Sequence, residues 1–541
     1  MKFMDFGCFK TEGELYKRMI LSQKRMLSDH YNPDLFLTEE FVKEADWPGD
    51  TEGRLLLALA MLFKALGEKS DYVRAYFEKI LSFMNEDGYL GAIIDENNIN
   101  EQSLSGNSWL MRGICEYYEW TKDERAYAAV ENMAKGLFLK TLHKYRHYPI
   151  ETDMRLQNTG AESGSLTGQS VMGWLPSTDI GCAYIMMDGA SHAYRILKWD
   201  ALYDLLSEMI ETFSVVDLKK CAFQTHASLS CARGMLRAGI ESGREEWKKE
   251  AIRQFDFYIE NGITENYENL NWYTRPEWTE PCAIIDSFIL ASEIWRLTGD
   301  EKYLHLAHRI LYNAVYRSQR ENGGFGCDNC VGADGKALFV RTYEAWWCCS
   351  MRGGDGLSNV ARTICAVDGE KICLPFYHAG AVNLPGFAFK IDSEYPYRGK
   401  IAVSVVSSDE REREIALYKP EGALDFSVSG AEIIKEENGF AFVKKAFKAG
   451  DVIEVGFDFK LEILPAREKT LPDAKTILYG NLNLGTNAQA DLPCPDIKNL
   501  TLTDPKRACF EDKYGAVYAP ISLITFESEE TIQNSRVQMI F

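Results

Sequence analysis

The chain has 541 residues, of which 46% are hydrophobic and 26% are charged, a composition typical of globular proteins and unlike disordered or fibrous chains. Sixty Lys and Arg against 80 Asp and Glu give a formal net charge of −20, which repels nucleic-acid backbones and anionic lipid surfaces. The length exceeds that of one ordinary core and predicts about two to four domains.

The N-terminal segment, 1-MKFMDFGCFKTEGELYKR-18, lacks the apolar run of a signal peptide, and no stretch approaches the ~20 apolar residues of a membrane span. We therefore expect a cytoplasmic protein that binds neither nucleic acid nor membranes. In such a chain the 14 cysteines are expected to be thiols, metal ligands or nucleophiles rather than a disulfide framework.

Up to about residue 368, apolar residues recur at helical spacing, as at Val73, Phe77, Ile80 and Met84. Polar turns such as 120-WTKDERAY-127 and 297-LTGDEKYL-304 separate successive helices, and each offers an N-cap residue. Their irregular spacing argues against a strict solenoid and favours a ring of helical hairpins. Glycine-rich loops, including 159–168 and 322–335, would gather at one mouth of this ring.

After about residue 368 the pattern changes to short alternating runs such as 401-IAVSVVSS-408 and 452-VIEVGFDF-459, separated by turn signals. This change predicts an all-β domain, most simply a sandwich. The expected domains are therefore residues 1–368 and 369–541, a mainly α protein with a β domain.

Two adjacent cysteines, Cys348 and Cys349, follow two tryptophans in 343-YEAWWCCSM-351. Cys327 and Cys330 could complete a closed four-thiolate zinc site with them, and so could Glu280 and Cys282 with one carboxylate and three thiolates. Separate buried thiols and a redox-active vicinal disulfide are further interpretations. Spacing alone does not choose among them.

From about residue 45 to residue 490 the chain resembles the bacterial β-L-arabinofuranosidases of glycoside hydrolase family 127. The Glu-x-Cys and Cys-Cys combination is the specific part of the resemblance. The matching segments are Trp47 with 54-RLLLALAMLFKALG-67, 87-DGYLG-91, 280-EPCA-283, 348-CC-349, 359-NVAR-362, 365-CAVDGEKICLPFYHAGAVNL-384, 394-EYPYRGKIAVSV-405, 448-KAGD-451 and 478-LYGNLNLG-485.

The resemblance implies an α/α toroid of six helical hairpins followed by a β-sandwich. It also implies that Zn²⁺ is held by Glu280, Cys282, Cys348 and Cys349, with Cys348 as the nucleophile of a retaining, exo-acting glycosidase. A metal-held thiolate is a strong nucleophile, so one carboxylic acid suffices for proton transfer.

That acid is expected in 263-ITENYENLNWYTRPEW-278, where Glu268 suits the family's order of motifs best and Glu265 is the alternative. His226 matches a family histidine that contacts the sugar, and a satisfied core histidine is the competing interpretation. Trp347 and Tyr273, with Trp272 and Trp346, flank the expected site and could stack on a sugar ring.

The chain departs from the family after the cysteine pair, where 350-SMRGGDGLSN-359 introduces Arg352, and at the additional Cys327 and Cys330. We therefore expect an oligosaccharide or glycoside substrate that carries a furanose or another uncommon sugar. A toroid hydrolase or lyase acting on uronic-acid oligosaccharides, and a non-catalytic carbohydrate-binding protein with structural zinc, are the alternatives. The oligomeric state is open, with a homodimer as one possibility.

Overall fold

The structure is a computed structural model that describes residues 1–151, 155, 164–332, 335–467, 471, 473–487, 490–524 and 535–541. Within this part the helices are α1 (Gly13–Met26), α2 (Glu39–Glu44), α3 (Asp50–Leu66), α4 (Asp71–Phe83), α5 (Glu101–Thr121), α6 (Glu124–Gly136), α7 (Met186–Leu197), α8 (Asp200–Ser214), α9 (Thr225–Ser242), α10 (Glu245–Asn261), α11 (Pro281–Thr298), α12 (Glu301–Arg309), α13 (Tyr316–Ser318) and α14 (Cys349–Arg362).

Six of these helices form a closed inner ring. Helices α3, α5, α7, α9, α11 and α14 each pack against the next, and α14 closes the ring against α3. An outer helix pairs with each inner one: α4, α6, α8, α10 and α12 follow their partners, and α1 packs against α14. The predicted α/α toroid of six hairpins is thereby confirmed.

The inner helices are buried on nearly all sides, which explains their unusual sequences. In α3 the residues from Leu55 to Ala60 are all fully buried. At Gly53 a Cβ atom would lie 2.1 Å from the backbone nitrogen of Leu110, so only glycine permits this close approach of α3 to α5. None of the described helices is long and apolar enough to cross a membrane.

All six inner helices begin at the same mouth of the ring. The cavity at that mouth is lined by residues at or just before the first turns of five of them, including Asp50, Ile185, His226, Glu280 and Cys349. Because helix N-termini carry partial positive charge, this mouth suits anionic groups such as thiolates.

The other regular elements that build the fold are strands, most of which follow α14. The strands are β1 (Lys2–Phe3), β2 (Phe9–Thr11), β3 (Ile99–Asn100), β4 (Trp174–Leu175), β5 (Ala337–Leu338), β6 (Ala366–Asp368), β7 (Lys371–Leu374), β8 (Gly380–Leu384), β9 (Phe387–Ser393), β10 (Gly399–Ser408), β11 (Glu412–Tyr418), β12 (Ala423–Ser429), β13 (Ile433–Glu437), β14 (Phe440–Ala446), β15 (Val452–Phe459), β16 (Leu461–Pro465), β17 (Lys475–Tyr479), β18 (Leu482–Gly485), β19 (Thr501–Asp504), β20 (Cys509–Glu511), β21 (Val517–Pro520) and β22 (Val537–Gln538).

Two six-stranded sheets, in the orders β1-β6-β7-β11-β14-β13 and β12-β15-β10-β9-β8-β2, account for the predicted β-sandwich. Burial alternates along β15, as expected for a strand with one face in a core. A third sheet runs β16-β17-β18-β21-β20-β19, and β22 pairs with β5 of the helical half. Because β1 and β2 join the first two sheets, these sheets draw strands from both sides of residue 368. The division of the chain at that residue stays a prediction.

Candidate active site

A cavity of about 590 Å³ opens at the mouth where the inner helices begin. Its walls combine carboxylates, arginines, aromatic rings and thiols, the mixture expected of a site that binds a polar ligand. The lining residues are Asp46, Trp47, Asp50, Arg54, Gly164, Ser165, Asp179, Ile185, Gln224, His226, Asn271, Trp272, Trp278, Glu280, Cys327, Arg341, Thr342, Ala345, Trp347, Cys348 and Cys349.

Four potential metal ligands meet at this cavity from the starts of two neighbouring inner helices. Glu280 is the N-cap of α11, and Cys282 follows Pro281 in its first turn. Cys348 is the N-cap of α14, and Cys349 is its first residue. The non-helical backbone of Cys348, with φ −148° and ψ −58°, lets the two adjacent sulfurs converge to 3.4 Å rather than point apart.

The spacing of these ligand atoms suits a tetrahedral metal ion. All four lie within 4.8 Å of one another, and the Sγ atoms of Cys282 and Cys349 are 3.6 Å apart. Sulfurs bound to tetrahedral zinc at about 2.3 Å would lie about 3.8 Å apart, whereas a disulfide bond measures about 2.05 Å. The group therefore fits a metal ion and differs from a vicinal disulfide.

Without a bound cation, the thiols and the carboxyl group of the cluster favour their protonated forms. Burial raises the pKa of Cys282 and Cys349 well above the usual thiol value. For Cys348 the contact with Cys282 lowers the pKa, but the contact with Cys349 and burial outweigh it and raise the pKa overall. Burial also raises the pKa of Glu280. Three ionised sulfurs in this position therefore require a bound positive charge.

Two side chains outside the cluster contact its sulfurs. Arg54 places Nη1 3.5 Å from Cys282 Sγ and Nε 2.8 Å from Asp50 Oδ2. Cys327 contacts the thiol of Cys349 from another part of the cavity wall. Among the described residues, Arg54 is the donor observed from outside the cluster, and it reaches Cys282 rather than Cys348 or Cys349.

The competing four-cysteine set does not assemble in the same way. Cys327 lines the cavity, but Cys330 is fully buried and its thiol lies 3.8 Å from the carbonyl oxygen of Asn269. Within the described part of the chain, close groups of at least three metal-binding side chains include Glu280, Cys282, Cys348 and Cys349 but not the Cys327 and Cys330 set.

His226, the residue predicted to contact the sugar, lies in the cavity wall, and Asp286 contacts its ring on the side away from the cavity. Its Nδ1 is 2.9 Å from Asp286 Oδ2, and its Nε2 is buried without a protein partner. Although burial raises the pKa of Asp286, Arg233 and Arg352 outweigh that effect and hold it below the usual range. Asp286 therefore stays ionised and fixes the ring of His226.

Arg352, which the sequence marked as a departure from the family, lies behind this wall. It is fully buried, and its Nη2 donates to Asp286 Oδ1 at 2.7 Å. Its guanidinium and that of Arg54 both stack on Trp109, at 4.6 Å and 4.1 Å from the ring centroid. The added charge therefore supports the wall rather than facing the cavity.

The predicted proton donor Glu268 is not among the residues that line the cavity. It is 1% exposed, and burial followed by the nearby Asp328 raises its pKa to about 8. Its Oε2 is buried without a hydrogen-bond partner. Glu265, the alternative, accepts a hydrogen bond from the backbone nitrogen of Arg467 at 2.6 Å and likewise lies outside the lining.

The predicted aromatic residues divide between the cavity and the core. Trp347 lines the cavity and is 47% exposed, so it marks the opening. Trp272 lines it as well and donates from Nε1 to Asp179 Oδ1 at 3.1 Å. Tyr273 is fully buried and its hydroxyl lies 3.1 Å from Ser228 Oγ, so it belongs to the core.

Several lining residues were not predicted from the sequence. Asp50 and Arg54 begin α3, and Asp179 lies in a loop and also contacts Gln224 Nε2 at 3.3 Å. Asn271, with its amide oriented to suit its neighbours, donates to Glu280 Oε2 at 2.6 Å. The Asn271-Trp272 pair upstream of Glu280 and Cys282 carried no signal that could have identified this contact.

A second group of possible ligands, Glu116, Glu119 and His192, lies elsewhere in the toroid. Lys64 binds Glu116 at 2.9 Å and Arg195 binds Glu119 at 2.9 Å. Because cations already occupy these carboxylates, the group is better explained as an ion-pair network than as a metal site.

The fold is similar to that of known glycoside hydrolases. A structure described as a glycoside hydrolase superimposes with a TM-score of 0.70 at 13% identity, covering 100% of this chain and 97% of the other. A GH127 β-arabinofuranosidase gives 0.68 at 13% identity over 100% and 97%. A GH127 β-L-arabinofuranosidase from Geobacillus stearothermophilus T6 gives 0.66 at 13% identity over 91% and 88%.

No protein-family model and no curated protein matches the sequence. At 13% identity the structural similarity establishes a shared fold across essentially the whole chain. It agrees with the family resemblance inferred from the sequence motifs, and what this fold does in the present chain depends on its own side chains.

Proposed function

We propose that the protein is a retaining exo-glycosidase that uses a zinc-bound cysteine thiolate and acts on a furanoside or another uncommon sugar. The observation that carries the proposal is the cluster of Glu280, Cys282, Cys348 and Cys349 in the wall of a 590 Å³ cavity. The similarity in fold to GH127 β-arabinofuranosidases supports the same conclusion.

The donor set of three thiolates and one carboxylate favours zinc over harder ions such as magnesium or calcium. When bound, zinc would keep the Cys348 thiol ionised near neutral pH. The start of α14 adds a favourable partial positive charge at the same sulfur.

Accessibility and hydrogen bonding favour Cys348 as the nucleophile. Cys282 and Cys349 are 0% and 1% exposed, whereas Cys348 is half-buried and lines the cavity. Arg54 donates a hydrogen bond to Cys282 Sγ, and a thiolate stabilised in this way is a weaker nucleophile. The arrangement therefore leaves Cys348 the most reactive of the three.

In the proposed reaction the Cys348 thiolate attacks the anomeric carbon, and the bond to the leaving oxygen breaks with its electron pair on that oxygen. A carboxylic acid supplies the proton that the leaving oxygen takes. Water then attacks the thioglycosyl carbon, gives its proton to the same carboxylate and releases the thiolate. Two inversions give net retention.

Two residues are candidates for the carboxylic acid that donates the proton to the leaving oxygen. Glu268 has the protonation state that a general acid needs, since its pKa is raised to about 8, but it would have to turn towards the cavity. Asp179 already lines the cavity, where it accepts hydrogen bonds from Trp272 and Gln224. We propose Glu268 as the acid, with Asp179 as its competitor.

Substrates with different leaving groups distinguish these candidates. Loss of the acid should lower kcat/KM for alkyl glycosides about 10²–10⁴-fold and leave kcat/KM nearly unchanged for aryl glycosides whose leaving group needs no proton, because kcat/KM reports the step in which the leaving group departs. We expect this pattern in Glu268→Gln. The same pattern in Asp179→Asn, with both substrates unaffected in Glu268→Gln, would transfer the role to Asp179.

The overall proposal is tested by metal analysis and a panel of glycosides. The purified protein should contain one zinc per chain and hydrolyse at least one furanoside with retention. Cys282→Ser should lose zinc, whereas Cys330→Ser, a buried cysteine outside the cluster, should keep it. If Cys327→Ser and Cys330→Ser lose zinc while Cys282→Ser keeps it, the four-cysteine site is supported instead.

The products decide between the enzyme classes. A product formed by elimination would support a lyase, and sugar binding without turnover would support a non-catalytic protein.

A further inference from the structure

Two tryptophans stand out on the surface of the molecule. Of the eleven tryptophans, all of which are described, Trp346 and Trp347 are the two that are exposed, each at 47%. Large aromatic rings are normally kept from water, and exposed ones that lie side by side commonly mark a binding surface. Trp347 lines the cavity, but Trp346 lies beyond it and has no role in the site described above.

Trp346 is held firmly despite its exposure. Its carbonyl oxygen accepts a hydrogen bond from the Tyr31 hydroxyl at 2.9 Å. The ring of His30 packs edge-on against it, with centroids 5.1 Å apart and planes at 82°. The Trp347 ring stands at 85° to it at 5.8 Å, so the two indoles form a fixed corner. A binding surface that is ordered beforehand loses little entropy when it is occupied.

The corner continues the catalytic cavity outwards. Because only Trp347 separates Trp346 from Cys348, the Cα atoms of Trp346 and Cys348 can be at most about 7 Å apart. Trp347 contributes to both surfaces, since it lines the cavity and contacts Trp346. A second sugar, linked to one whose anomeric carbon lies at Cys348, would therefore leave the cavity past this corner.

The chemistry of the corner fits a neutral sugar better than a protein. An indole face offers a flat apolar surface for the C–H face of a sugar ring, while its edge and surroundings remain polar. Two tryptophans contribute at most about 500 Å², whereas a stable protein interface buries about 800 Å² on each partner. The area is sufficient for one or two sugar units.

We infer that Trp346 and Trp347 form a binding position for the sugar on the leaving-group side of the scissile bond, so that the preferred substrate is an oligosaccharide rather than a simple glycoside. The inference rests on the proposed function and specifies its substrate class. Trp346 contributes to recognition and takes no part in the chemistry.

The test compares the Trp346→Ala variant on two substrates that share the sugar held in the cavity. The probes are methyl β-L-arabinofuranoside, which has no second sugar, and a β-linked disaccharide of L-arabinofuranose. We expect kcat/KM for the methyl glycoside to change by less than about twofold and that for the disaccharide to fall about tenfold or more, the loss typical of removing an anchoring aromatic residue. The change should lie mainly in KM.

Two further variants act as controls. Trp346→Phe keeps an aromatic face and should recover most of the disaccharide activity. Tyr514→Ala removes another exposed aromatic ring, 82% exposed and located in the turn between β20 and β21, and should change kcat/KM for neither substrate. Equal kcat/KM for the disaccharide in Trp346→Ala and the unaltered protein, or equal losses on both probes, would overturn the inference.

A binding measurement separates this inference from the proposed function. If neither probe is hydrolysed, the proposed substrate is wrong, and calorimetric titration with neutral plant oligosaccharides of one to three units decides the role of the corner. Tighter binding of the longer sugars that is lost in Trp346→Ala would support the inference. Binding that does not depend on length or on Trp346, or no binding of any of these sugars, would refute it.

Discussion

Removal of the Arg54 guanidinium should weaken metal binding without altering any ligand. Arg54 is 5% exposed, and its Nη1 lies 3.5 Å from Cys282 Sγ. Three thiolates and a carboxylate around a divalent ion carry a net charge of −2, which is costly to bury. The hydrogen bond from Arg54 to a cluster sulfur offsets part of this charge.

The magnitude follows from the geometry. At 3.5 Å and an effective dielectric constant of about 20, Coulomb's law gives about 5 kcal/mol between unit charges. Asp50, which is 2.8 Å from Arg54 Nε, cancels part of the arginine's charge. Residues that contact a metal ligand typically contribute about 10–100-fold to metal affinity, and we expect a loss in this range.

Substitution of Arg54 alone would leave Asp50 buried and unpaired, at a stability cost of about 3–5 kcal/mol. The test therefore uses the double variant Asp50→Asn and Arg54→Met, which removes both charges. The zinc Kd is measured by competition with a chromophoric chelator.

The double variant Arg352→Met and Asp355→Asn is the matched control, because Arg352 stacks on the same Trp109 ring but pairs with Asp286 and Asp355 rather than with a sulfur. An unchanged zinc Kd in the Asp50→Asn and Arg54→Met variant, or the same weakening in the control variant, would refute the reasoning.

Three further predictions concern stability and are checked by urea unfolding. Gly53→Ala should destabilise the fold by about 1–3 kcal/mol, because its Cβ would meet the backbone of α5, whereas Gly7→Ala, where nothing lies within 4 Å, should change it by less than about 0.5 kcal/mol. Asp286→Ala should lower the free energy of unfolding by about 3–5 kcal/mol, because the buried Arg233 and Arg352 lose the carboxylate that they share. A decrease of less than about 1 kcal/mol would contradict this prediction. The pKa of Glu268 is raised to about 8 in the folded protein, compared with about 4.3 in the unfolded chain. The folded state therefore binds the proton more tightly, and the resulting stabilisation is complete below about pH 4.3 and is lost as the pH rises through about 8. Glu268→Gln should therefore gain stability relative to the unaltered protein between pH 5 and pH 9, by more than about 1.4 kcal/mol, and no gain would show that the carboxyl is not held protonated.

The helical half could be predicted because its pattern is local. The spacing of Val73, Phe77 and Ile80 reports one buried face of α4, and all three are fully buried. The runs 401–408 and 452–459 were also predicted from their alternation, and they form most of β10 and all of β15. Strands β1 and β2 were not, since runs of two and three residues carry no periodic signal and pair only through contacts more than 360 residues away.

The candidate site could be predicted only where its residues form a motif. Glu280, Cys282, Cys348 and Cys349 were identified through the family resemblance, and their side chains meet in space. Arg54 was not, because an arginine at the start of an apolar helix resembles a surface residue until the neighbouring helix is known. The sequence also could not predict that Glu268 lies outside the cavity lining, because the direction of a loop side chain depends on tertiary contacts such as the one with Asp328.

The central claim is that Cys348 is the nucleophile of a glycosidase. It is tested most directly by incubating the zinc-loaded protein with a bromoacetamide derivative of β-L-arabinofuranose, followed by intact-mass analysis and peptide mapping. The account predicts one label per chain, on Cys348, with loss of activity in proportion to labelling and protection by free sugar. A label on Cys349, on Cys327 or on a carboxylate, or no label at all, would contradict it.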